Sequence, residues 1–89
     1  MRLPASDDPG GDREGALPRD IVLIALREHG VSIRSLGGDL YLLAEGGVFE
    51  VQSLTDPVGG VIVRRLARKF RIHILDFYYD PLTSARRVH

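Results

Sequence analysis

No cysteine occurs in the chain, so disulfide frameworks and thiolate metal sites are excluded. Histidine is scarce, and His29, His73 and His89 lie too far apart in sequence to suggest a metal centre. The glycines form no phosphate loop, because neither a GxxxxGK nor a GxGxxG pattern is present. Long apolar runs are missing too. The longest, Ile21 to Leu26, falls far short of the ~20 residues that cross a bilayer. The opening stretch from Met1 to Gly15 is acidic and rich in glycine and proline, unlike a signal or transit peptide. These absences lead to the expectation of a cytoplasmic protein in a reducing setting, with no cofactor, no metal and no membrane.

What remains is a chain of 89 residues, 44% hydrophobic and 27% charged, the balance of a globular domain. A chain of this length buries only a thin core, which favours assembly with a second copy. The net charge is zero but unevenly placed. Residues 1–20 carry 3 basic and 5 acidic groups, residues 21–60 carry 2 and 5, and residues 61–89 carry 7 and 2, so the last third stands at +5. That polarity directs an acidic partner, or nucleic acid, to the C-terminal third.

Residues 1–16 lack apolar periodicity and are full of turn formers, which reads as a disordered arm. Residues 17–81 form the expected single domain. Its first helix runs through "LPRDIVLIALREHG", with Pro18 in the first turn and Gly30 as the left-handed residue that ends it. Three strand-like stretches follow: "VSIRSL", "DLYLLAE" and "VFEVQSL". The middle one is the most apolar and reads as a central strand covered on both faces. In the third, Phe49 and Val51 share one face and Glu50 and Gln52 the other. Glycine-containing connectors at Gly37-Gly38-Asp39 and Glu45-Gly46-Gly47 suit tight hairpins, so the three strands form an antiparallel meander.

The second helix lies in "TDPVGGVIVRRLARKF", with Thr55 or Asp56 as cap and Pro57 in the first turn. At 100° per residue, Ile62, Val63, Leu66, Ala67 and Phe70 fall on one arc. Arg64, Arg65, Arg68, Lys69 and Arg71 fall on the opposite arc, with Val61 among them. The next stretch, "IHILDFYYD", is rich in β-formers, and Pro81 ends it. The expected fold is therefore α+β in the order α-β-β-β-α-β, an antiparallel sheet with two helices on one face and an extra C-terminal strand. Residues 82–89 read as a flexible tail that adds Arg86 and Arg87 to the positive end.

Helix, three-stranded meander, helix resembles the layout of double-stranded-RNA-binding domains, and more closely that of the HicA family of small toxin ribonucleases from toxin–antitoxin pairs. "RDIVLIALREHGVSIRSLGGDLYLL" is similar to the HicA opening, and "VFEVQSLTDPVGGVIVRRLARKF" to its third strand, proline-containing connector and closing amphipathic helix. The resemblance implies RNA as ligand and a turn histidine as catalytic base. Here that position falls at Asp39. An exposed aspartate is ionised at neutral pH, cannot act as a general acid as imidazole can, and would repel phosphate. No catalytic residue is therefore assigned.

Two surfaces stand out as candidate sites. The first is the cationic arc of Arg64, Arg65, Arg68, Lys69 and Arg71, whose guanidinium forks suit phosphate oxygens or an acidic protein surface. It has no carboxylate within helical reach, since none lies between Val58 and Asp76. The plain alternative is a solvated polar face. The second is the C-terminal strand. Ile72, Ile74, Phe77, Tyr78 and Tyr79 put apolar bulk on both of its faces, which invites edge pairing with a second copy or strand addition to a protein partner. The reading that emerges is a non-catalytic module contacting nucleic acid, RNA foremost, through its second helix. The alternative is a protein-interaction module or inhibitor acting through the terminal strand or the basic helix.

Overall fold

The structure, a computed structural model, describes residues 15–87. Its elements are α1 (Arg19–Glu28), β1 (Ser32–Gly37), β2 (Leu40–Glu45), β3 (Val48–Ser53), α2 (Gly60–Lys69) and a short α3 (Leu75–Tyr78). The strands form one antiparallel sheet in the order β1-β2-β3, with both long helices against one face. The α+β class and the order α-β-β-β-α thus follow the sequence pattern.

Both long helices end in the same way. At α1, the Gly30 N–H donates to Arg27 O and the Val31 N–H to Leu26 O, with Gly30 at φ 83°. At α2, the Arg71 N–H donates to Arg68 O and the Ile72 N–H to Ala67 O, with Arg71 at φ 57°. These are Schellman closures, in which a left-handed residue reverses the chain and satisfies the last carbonyls. Glycine takes that conformation freely, whereas Arg71 is held in it at a steric cost.

The helix starts differ from expectation. Pro18 stands at the N-cap of α1, one place outside the helix. The second helix begins only at Gly60, with Gly59 at its N-cap, so Pro57 lies in the connector, after a cis peptide bond. Asp56 does not cap that helix. Its Oδ1 accepts the Arg19 N–H at 3.0 Å and so closes the N-terminus of α1 instead. Leu17 and Val58 exchange backbone hydrogen bonds of 3.0 and 2.7 Å, tying the two helix entries side by side.

The core is formed by Val22, Ala25 and Leu26 of α1, Val63, Leu66 and Ala67 of α2, Leu43 of β2, and Leu17, Leu54 and Val58 from the connectors. Partners across the sheet share a face, so the rung Ile33–Leu43–Glu50 points toward the helices. The rungs Arg34–Leu42–Val51 and Ser32–Ala44–Phe49 point away. β2 is central as expected, but the cover on both faces is not there. Leu43 is buried, whereas Leu40 is 41% exposed, and on β3 Phe49 is 63% and Val51 55% exposed.

The expected C-terminal strand is also corrected. Residues Leu75–Tyr78 form a helical turn. The Schellman turn at Arg71 delivers the chain to the helical layer, where α3 packs against α1. The His73 Nδ1 accepts the Leu75 N–H at 3.2 Å and supports the new turn. Phe77 is wholly buried. β-propensity reflects fit to a pleated surface, and burial in a helical layer overrides it.

Residues 82–87 do not run free. The Asp80 N–H donates to Ala85 O, and the Arg87 N–H to Tyr78 O. The Arg87 side chain, only 7% exposed, reaches Glu28 Oε1 at 2.7 Å and Asp76 O at 2.9 Å. Arg87 is thereby withdrawn from the positive surface to which the sequence assigned it. The arm expected over 1–16 falls, for residues 1–14, outside the described residues, as do residues 88–89.

Candidate anion-binding recess on the second helix

The apolar arc of α2 faces the core, which forces its cations outward. Four of the five, Arg65, Arg68, Lys69 and Arg71, line a shallow recess of about 390 Å³ whose remaining wall is Glu50 of β3. Arg71 joins it although it lies beyond the helix, because the left-handed turn at the helix end keeps it beside Arg68.

Glu50 organises the recess. Its strand position turns it toward the helices, and its side chain is 10% exposed. A carboxylate so placed needs charged partners. Arg65 Nε reaches Glu50 Oε2 at 3.0 Å and Lys69 Nζ reaches Oε1 at 3.7 Å, one helical turn apart. Both cations remain open to solvent, with side chains 63% and 43% exposed. Arg64, Arg68 and Arg71 form no ion pair among the described residues. Four cations against one carboxylate leave the recess at +3. An incoming anion meets guanidinium and ammonium groups first, with the carboxylate beneath them.

Arg64 points elsewhere. It lies beside Tyr78, whose hydroxyl donates to Gly15 O. Burial pushes the Tyr78 phenol up from its ordinary pKa, and the Arg64 guanidinium offsets part of that rise. The sequence thus grouped five cations on one arc, and the structure brings four of them together.

The proposed strand-pairing residues are scattered. Ile72 and Phe77 are buried in the core, Ile74 and Tyr78 pack against it, and Tyr79 is 38% exposed, bridged to Arg86. A helical turn offers no row of free ladder groups, so edge pairing through Ile72 to Tyr79 loses its geometric basis. Asp39, at the position where the resemblance would place a histidine, binds Arg19 Nη1 at 2.7 Å. The same nitrogen reaches Leu54 O at 3.1 Å, so Arg19 clamps the β1–β2 turn to the end of β3.

Two features of the surface were not found by sequence reasoning. Glu50 was visible as the polar alternate of Phe49 and Val51, but nothing in strand alternation says which face the helices cover. The exposed apolar face of the sheet escaped for the same reason. No protein-family model, no curated protein and no solved structure matches the chain.

Proposed function

We propose that this protein is a small, non-catalytic binding module that holds the phosphate backbone of RNA in the recess on α2. One observation carries the reading: Arg65, Arg68, Lys69 and Arg71 converge on a single recess, with two of them held in place by the largely buried Glu50 side chain. Phosphate binding needs cations that are oriented but accessible, and guanidinium groups supply paired donors at fixed spacing. From Arg65 to Lys69 the helix rises about 6 Å, and Arg71 extends the row past the helix end, enough to follow a short length of backbone but not to read a sequence. The helix–meander–helix order supports kinship with HicA-like and double-stranded-RNA-binding-like folds. The ion pair of Asp39 with Arg19 supports a binding role without cleavage.

The test is fluorescence anisotropy on a labelled RNA duplex over a range of salt. With about three phosphates neutralised, affinity is expected to fall about 40-fold between about 50 and about 200 mM salt. Arg68→Glu removes a cation with no ion-pair partner among the described residues, and is expected to abolish binding at the upper salt. Absence of binding at low salt, with the protein folded, rejects RNA as the ligand. Retention on heparin with no RNA binding points instead to an acidic protein surface.

A further inference from the structure

The outer face of the sheet is apolar where a solvated face would be polar. Leu40, Leu42, Phe49 and Val51 lie on it, with Ala44 between strands and Arg34 its one charge. Phe49 and Val51 are more than half exposed. Meanwhile β3 turns Glu50 and Gln52 toward the protein's own helices. Side-chain direction alternates with a period of two, so a slip of one residue would have buried Phe49 and Val51 and exposed their polar neighbours. The observed register gives that burial up and leaves an apolar surface open.

We propose that this face is the interface of a two-fold symmetric homodimer, in which two sheets stack and the helices lie outside. Charge selects the occupant. A lipid surface or an acidic partner would draw on a ring of cations, but the recess cations lie on the opposite side of the sheet, and among the described strand residues the outer face carries Arg34 alone. A near-neutral apolar face is complementary to itself. Area sets the strength. Three strands of six residues cover about 14 by 20 Å, from the usual strand spacing and rise. Two such footprints come to about 560 Å² before side-chain relief, a size that fits weak, reversible self-association below the ~1,000 Å² of stable interfaces. With the two-fold axis along β2, each β1 lies over the partner's β3. Arg34 then sits above apolar and aromatic side chains, a favourable placement for a guanidinium, and not above its own copy. The central strand supplies the middle of the interface in both copies. Both α2 recesses remain outward and open.

The interface is of modest size, so the expected dissociation constant is micromolar, about 1–100 μM. The experiment is sedimentation velocity of the full chain, without RNA, from about 1 to about 200 μM. Wild type is expected to shift from monomer to dimer across that range. Phe49→Glu/Val51→Glu, folded by circular dichroism, is expected to stay monomeric throughout. Should that variant fail to fold, Val51→Ser provides the same reading, with dimerisation weakened at least ~10-fold. Leu75→Glu alters an exposed apolar residue outside the sheet and is expected to leave the dimer intact. A wild type that remains monomeric to the highest concentration overturns the proposal. So does a folded double variant that still dimerises, or loss of the dimer in Leu75→Glu. Because no RNA is present, the outcome is independent of the function proposed for α2.

Discussion

The role given to Glu50 leads to a prediction with opposite signs in two assays. Glu50→Gln keeps the side chain's shape and an oxygen to accept from Arg65, but deletes the negative charge. Both its cations are substantially exposed, so each pair is worth only the ~0.2–1 kcal/mol of a solvent-screened ion pair. Stability should therefore fall by roughly 1 kcal/mol in urea titration. Binding should move the other way. A carboxylate about 8 Å from a bound phosphate repels it by ~0.5 kcal/mol in bulk water and by ~2 kcal/mol at the effective dielectric near a protein surface. Removing it raises the recess from +3 to +4 and should tighten RNA about 8-fold, the middle of that range. The dependence of log affinity on log salt should also steepen by about 0.9, as for one more phosphate neutralised. Anisotropy titrations of both proteins across salt measure the two quantities together. A folded Glu50→Gln variant that binds RNA no more tightly than wild type would refute the idea that this carboxylate tempers an anion site.

Other expectations concern the turns and the short helix. Gly30→Ala should lose about 1 kcal/mol from forcing alanine into the left-handed region, since an added Cβ there meets no neighbour within 4 Å. Arg71→Gly should do the reverse, gaining up to about 1 kcal/mol in stability while weakening RNA binding by loss of a recess cation. Phe77→Ala should cost about 3–5 kcal/mol, as for a fully buried ring. A loss below about 1 kcal/mol in the same urea titration would indicate an exposed strand instead of α3. Tyr78 has its pKa raised by burial, so its neutral form is favoured by folding. Stability from this group is fully present below the unfolded pKa of about 10 and is lost as pH rises through the higher folded value. Tyr78→Phe should show a flatter loss of stability above pH ~10 in chemical denaturation at stepped pH.

The sequence was sufficient for the elements whose pattern is local. The 100° division of Ile62, Val63, Leu66, Ala67 and Phe70 from the cations specified α2, and the glycine-bearing connectors specified the meander. The left-handed residue after α1 was evident because only glycine adopts it at no cost. The basic site was legible to the extent that four of its five cations do converge.

What the sequence could not decide was direction. Alternation in "VFEVQSL" separates two faces without saying which one the helices cover, and the tertiary structure chose the polar one, creating both the Glu50 anchor and the open apolar sheet. The segment from Ile72 to Tyr79 has strand-like composition, yet the turn at Arg71 brings it beside α1, where burial of Phe77 outweighs propensity. Asp56 likewise appears beside one helix in sequence and caps the other in space. In each case a weak local preference of a few tenths to about one kcal/mol yields to contacts between distant residues, whose burial contributes more.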